Sequence, residues 1–160
     1  MQNYYLFTDG AAKNNQGKNT IGGFGVYFPH NEELNISKTI KGYTTNNIAE
    51  LSAVYYGITK LIKSIIINKQ IIIVTDSMYL INSITKWAKN WEKNNWTKSD
   101  GKPVQNLSLI KKIYYLVNNL NIKFQHQRSH TKEPKDKTSD EYFFWYGNEQ
   151  ADKLAQPSSD

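Results

Sequence analysis

Residues 71–77, Ile71-Ile72-Ile73-Val74-Thr75-Asp76-Ser77, form a short unbroken apolar run that stops at an acid. A run of this length and composition, without polar alternation, marks a strand covered on both faces, the habit of parallel strands between layers of helix. Parallel neighbours have to be joined by helical crossovers, so the flanking sequence decides the architecture. Upstream, Leu51, Val54, Tyr55, Ile58, Leu61 and Ile62 recur at three- and four-residue spacing, which predicts an amphipathic helix capped by Thr45 or Asn46. Downstream, two or three helices are expected, with Pro103 at or near the start of one that carries Leu107, Ile110, Ile113, Tyr114 and Val117. A last strand over Ile122–His126 and a last helix over Gly147–Ala155 complete that half.

Ahead of the first helix lie three strand-like segments, Tyr4–Asp9, Ile21–Phe28 and Leu34–Lys41. The first two are separated by the turn-rich Lys13-Asn14-Asn15-Gln16-Gly17, and glycines 22, 23 and 25 suggest a bulge or a close backbone approach. Three such strands can pair antiparallel. The expected fold is therefore α/β, a mixed five-stranded sheet with three antiparallel strands and then parallel ones, flanked by helices. We read residues 1–160 as one domain. Thr131–Asp140 has no periodicity and reads as a mobile surface loop.

Composition narrows the function classes. The chain of 160 residues has no cysteine, which excludes disulfides, thiolate metal sites and a cysteine nucleophile. No apolar run is long enough to span a bilayer, because Asn68-Lys69-Gln70 breaks the longest candidate, and Met1-Gln2-Asn3-Tyr4 lacks the features of a signal peptide. A soluble, intracellular, cytoplasmic monomer with no membrane partner is expected. The net charge of +6 asks for a polyanion. Five lysines between Lys86 and Lys102 interleave with Trp87, Trp91 and Trp96, a pattern equally consistent with a nucleic-acid surface and with a core-facing tryptophan stripe on a solvated helix.

Four acids sit where acids are out of place. Asp9 ends an apolar strand before Gly10, Asp76 ends the isoleucine strand, Glu50 edges its helix's apolar stripe, and Asp152 lies between Ala151 and Leu154. Each alone is more simply a turn, cap or solvated residue. Together they can converge beyond the strand ends, where open α/β sheets place their sites. Converging carboxylates repel one another and are driven to protonate unless cations compensate. No Lys or Arg directly flanks the four, except Lys153 beside Asp152, and hard oxygen ligands select Mg²⁺ or Mn²⁺. Acid clusters holding two ions about 4 Å apart are a recurrent solution for phosphoryl hydrolysis.

Thr8-Asp9-Gly10, Thr45-Asn46-Asn47-Ile48-Ala49-Glu50-Leu51, Thr75-Asp76-Ser77 and Gly147-Asn148-Glu149-Gln150-Ala151-Asp152 resemble the four acidic motifs of ribonuclease H, in family order. The Trp- and Lys-rich stretch 87–106, ending Gly-Lys-Pro-Val-Gln-Asn, resembles the basic protrusion of the cellular, type 1 enzymes, here about residues 82–104. The resemblance implies hydrolysis of the RNA strand of an RNA/DNA hybrid by two Mg²⁺ ions, with Mn²⁺ a possible substitute, leaving 5′-phosphate and 3′-hydroxyl ends. It implies that Asp9, Glu50, Asp76 and Asp152 hold the metals and that His130 assists proton transfer or product release. It further implies hybrid contacts from Asn15, Asn46 and Asn47 in the minor groove, where a 2′-hydroxyl marks RNA. Thr45 and Asn106 match a DNA-phosphate pocket, and Tyr79, Trp87, Trp91 and Ser99 match the channel for the DNA strand.

Three departures stand out. Tyr43 occupies a position where the family often has Arg, leaving the phosphate grip weaker or dependent on Lys41. The glycine-rich turn after the first acid is replaced by a longer Asn-rich segment. His130 lies twenty-two positions before Asp152, and an insertion of about 131–147, including Tyr142-Phe143-Phe144-Trp145-Tyr146, separates them. That aromatic run reads first as packing of the inserted loop onto the core. Other readings remain: an idle hybrid- or duplex-binding module, a resolvase or transposase core, or a domain of a reverse transcriptase. The complete acid set, the protrusion and the compact ends favour a free-standing nuclease.

Overall fold

The computed structural model describes residues 3–15 and 19–156, except for the side chains of residues 14, 15, 19 and 20. Five strands form one sheet in the order β3-β2-β1-β4-β5. They are β1 (Asn3–Asn15), β2 (Asn19–Tyr27), β3 (Ile36–Ile40), β4 (Gln70–Thr75) and β5 (Lys123–His126). β1, β2 and β3 pair antiparallel, and β4 and β5 add parallel to β1 and to each other. The mixed sheet expected from the sequence is the one observed.

Helices cover both faces. α1 (Asn46–Ser64) and α4 (Leu107–Leu120) pack on one side over Leu6, Val26, Phe28 and Ile73, and α5 (Asp140–Ala155) packs on the other over Phe7, Tyr27 and Val74. β1 and β4 alternate between the two cores, which is why Ile71-Ile72-Ile73-Val74 has no polar residue to give to solvent. Thr45 caps α1 by accepting from the Ile48 amide at 3.1 Å. Asn46 accepts from the Ala12 amide at 2.7 Å and so joins the start of α1 to β1.

Several boundaries differ from the sequence reading. β1 does not end at Asp9 but continues to Asn15, because Gly10 to Asn14 keep pairing with β2 opposite Phe24 to Thr20. Asp9 is thus mid-strand. Pro103 does not begin α4; it pairs with Thr97 in an isolated bridge, and Asn106 precedes the first helical residue. α5 starts at Asp140 with Ser139 as cap, so Tyr142–Tyr146 belongs to a helix and not to an inserted loop. Phe143 and Phe144 meet Tyr5 and Phe7 edge-on or tilted at 5.3–6.3 Å, and this aromatic packing extends the helix toward its N-terminus.

The basic segment is not one helix. α2 (Met78–Asn82) passes through a π turn (Ser83–Trp87) into α3 (Ala88–Lys93), which ends where Asn95 and Trp96 both take left-handed backbone. Trp96 is buried, Trp91 half-buried and Trp87 exposed, while Lys86, Lys89 and Lys93 all face solvent. Among the described residues no helix is long and apolar enough to cross a membrane.

Candidate active site

The sheet register sets the site. β1 and β4 run parallel with Phe7 opposite Val74, so Asp9 and Asp76, each two residues further, leave neighbouring strands side by side. α1 then brings Glu50 to the same place. Its approach depends on Gly10: a Cβ there would lie 2.7 Å from the Ala49 carbonyl oxygen and closer still to the Glu50 amide nitrogen. Asp9, Glu50 and Asp76 each offer a carboxylate oxygen within 4.8 Å of the others.

Asp152 comes from the opposite face. α5 can lie on β2 because Gly25, the strand partner of Asp9, has no side chain; a Cβ there would fall 2.6 Å from the Ala155 amide. Gly147 likewise leaves room for the Phe7 ring. Seated this way, Asp152 comes near enough for its charge to oppose ionisation of the Asp9 carboxyl. All four acids are brought together, three in a tight group and Asp152 at its edge.

The electrostatics are unbalanced. Burial pushes the Asp9 carboxyl above the usual carboxylate range, and the charges of Asp76 and Asp152 push it further, against one amide hydrogen bond from Gly10 at 2.9 Å. Burial raises Glu50 in the same direction, reinforced by Asp9 and Asp76. Every side chain acting on these two groups is another acid. Glu50 Oε1 is buried with no hydrogen-bond partner, which in a native site signals a missing ligand or counter-ion. Hard oxygen donors, an orphaned oxygen and uncompensated charge together fit a divalent cation of the Mg²⁺ type.

The other residues singled out in the sequence fall into two groups. Asn46 and Asn47 lie exposed in the first turn of α1, with Thr45 as its cap. Asn106, in left-handed backbone, donates to the Tyr79 hydroxyl at 3.1 Å, and the rings of Tyr79, Trp87 and Trp91 follow one another at 6.2 and 5.9 Å. Ser99 is exposed in the turn beyond α3 and joins none of these contacts. Asn15 ends β1 opposite Asn19, and its side chain lies outside the described residues. His130 is exposed, with left-handed backbone, four residues beyond the end of β5. His126, also exposed, ends β5 opposite Thr75, the residue before Asp76.

The close backbone approach expected at glycines 22, 23 and 25 is found at Gly25, against α5, whereas Gly10 stood in the sequence only as a motif letter and its contact with α1 was missed. Paired periodicity would have been the usable signal: each glycine falls on the face of its strand where a helix has to land.

A family model described as RNase H matches residues 1–159. The chain is 35% identical to the ribonuclease H of Clostridium botulinum over 161 aligned positions, covering all of this chain and 97% of that protein. It is 37% identical to a probable ribonuclease H of Acanthamoeba polyphaga mimivirus, covering 86% of this chain but only 58% of the viral protein. Among solved structures, the foamy viral protease-reverse transcriptase in complex with an RNA/DNA hybrid superposes with a TM-score of 0.70 and 25% identity, over 95% of this chain and 19% of that one.

Proposed function

The chain belongs to the type 1 ribonuclease H family of hydrolases, and from that premise we propose that it cuts the RNA strand of RNA/DNA hybrids with the four converging acids as its metal-binding centre. The observation that carries the proposal is the Asp9–Glu50–Asp76 group, three carboxylates within 4.8 Å with a buried, partnerless oxygen and no basic side chain acting on Asp9 or Glu50. Asp9, Glu50, Asp76 and Asp152 would hold the ions, Mg²⁺ or Mn²⁺ by donor type. When bound, two such ions supply an activated water and charge stabilisation at the leaving 3′-oxygen, which leaves 5′-phosphate and 3′-hydroxyl ends.

The chain's own residues do the rest. Burial of Asp9 and Glu50 keeps the centre in a low-dielectric setting where charge acts at full strength. Asn46 is held by Ala12 through its carbonyl oxygen, leaving its amide hydrogens to donate to a 2′-hydroxyl or base edge, with Asn47 beside it and Asn15 at the end of β1. The Asn106–Tyr79 hydrogen bond and the Tyr79–Trp87–Trp91 ring series suit the DNA strand, with Thr45 and Asn106 serving a phosphate and Ser99 at the margin. His130, exposed and unencumbered, is assigned to moving a proton or releasing product. All four acids come from one chain, as a monomeric enzyme requires.

The deciding experiment incubates the protein with a labelled RNA/DNA hybrid, the matching duplexes and the single strands, with Mg²⁺ or with EDTA. RNA cleavage confined to the hybrid and abolished by EDTA is expected. Equal cutting of double-stranded RNA would defeat the reading.

A further inference from the structure

Between Ser83 and Ser99 the chain carries one acid, Glu92, among four lysines, Lys86, Lys89, Lys93 and Lys98. On an isolated helix Glu92 has an obvious partner, because Lys89 lies three residues earlier on the same face. That ion pair is not made in the structure. Both carboxylate oxygens of Glu92 are turned instead to α4: Oε2 accepts from the Tyr115 hydroxyl at 2.8 Å, and Oε1 accepts from the Tyr114 hydroxyl at 3.5 Å. The two tyrosines are placed for this by Trp96, which is buried and meets both rings edge-on at 5.8 and 6.2 Å. Lys111, from α4, lies over the Trp96 ring with its Nζ 5.4 Å from the centroid.

The arrangement has an electrostatic effect as well as a mechanical one. A carboxylate beside Lys89 and Lys93 would neutralise part of the positive surface and compete with any phosphate brought to it. Hydrogen-bonded to α4, the same carboxylate makes no ion pair with the lysine stripe Lys86–Lys89–Lys93, whose three members repeat at helical spacing and face solvent. We propose that Tyr115 is a positioning residue for substrate binding: its hydroxyl holds Glu92 away from the lysines of α3, and so keeps their charge available to the nucleic acid. This rests on the reading of the chain as a hybrid-binding nuclease, and it assigns a role to residues that touch neither metal nor substrate.

The test measures hybrid affinity in EDTA, where nothing is cut, and kcat and KM in Mg²⁺, each at several salt concentrations. Tyr115→Phe keeps the ring packing on Trp96 and removes only the donor. It is expected to weaken hybrid binding and raise KM by about two- to fivefold, the range of an exposed ion pair, with kcat unchanged. The salt slope of binding should become shallower by up to about one unit, the share of one phosphate contact. Glu92→Gln should bind at least as tightly as the parent, and combining it with Tyr115→Phe should restore the parent's affinity, because no charge is left to misplace. An unchanged affinity in Tyr115→Phe, or a double variant as weak as Tyr115→Phe alone, overturns the proposal. A parent protein that binds hybrid and cleaves it, with Tyr115→Phe indistinguishable from it, defeats this inference alone. A parent that binds no hybrid defeats the functional reading and this inference together.

Discussion

Gly10 and Glu50 meet backbone to backbone: a methyl group on Gly10 would overlap the Glu50 amide nitrogen and stand 2.7 Å from the Ala49 carbonyl oxygen. The obstruction would be rigid helix backbone, not the end of a flexible side chain. Gly10→Ala should therefore move α1 off β1 and carry the Glu50 carboxylate away from Asp9 and Asp76. A stability loss of about 1–3 kcal/mol by urea titration is expected, together with a fall in kcat of more than about tenfold. Full activity in a folded Gly10→Ala protein would mean that the close approach does not set the site.

Removing one of the converging carboxylates should separate stability from catalysis. Asp9→Asn and Asp76→Asn should each cost at least about 100-fold in rate, if each carboxylate contributes roughly 3 kcal/mol to the transition state. Both should at the same time raise the melting temperature in EDTA, because each removes a carboxyl group that the crowding of acids penalises in the folded state. A variant that stays active, or melts lower in EDTA than the parent, contradicts the assignment.

The pH dependence follows from the direction of the shifts. Asp9 and Glu50 hold their protons to higher pH in the folded state than in the unfolded chain. The folded state therefore binds more protons between the two ranges, and these groups make stability fall as pH rises. Without metal, their contribution is fully present below about pH 4, near the unfolded values, and is lost as pH climbs through neutrality. Denaturant titrations in EDTA at pH 5 and pH 8 should show this loss, and Glu50→Gln should flatten it. A slope that Glu50→Gln leaves unchanged would place its origin elsewhere in the protein.

The histidines can be separated by rate. His130→Ala should lower kcat by about 10- to 100-fold with hybrid affinity unchanged. His126 is exposed at the end of β5, so its replacement should cost little stability, contrary to what a buried strand position would bring. If His126→Ala gave the larger kcat defect, the proton-handling role would belong to the histidine beside Thr75.

The succession of strands and helices and the four acids were legible in the sequence for different reasons. Ile71–Val74 announces a strand buried on both faces, and Leu51 to Leu61 announces a one-sided helix, since burial writes its period directly into residue type. The acids stood out because each interrupts such a pattern. The length of β1 was not legible, because Gly10-Ala11-Ala12-Lys13 has no strand-like composition and is held by pairing to β2. The start of α5 was hidden too. Bulky aromatics from 142 to 146 carry no helical preference of their own, and the helix extends there because Phe143 and Phe144 find Tyr5 and Phe7. The turning of Glu92 toward Tyr115 depends on contact between two helices, which no local pattern encodes.

α5 comes after every other element of the sheet, yet it covers Phe7, Tyr27 and Val74 and brings in Asp152. The five strands and three of the four acids lie between Asn3 and His126. A chain cut before Asp140 would keep all of these and lack the helix that covers one face of the sheet and supplies the fourth acid. Closure of that face and completion of the centre are thus one event, and a chain truncated before Asp140 should aggregate through the bared Phe7, Tyr27 and Val74 as well as lack activity.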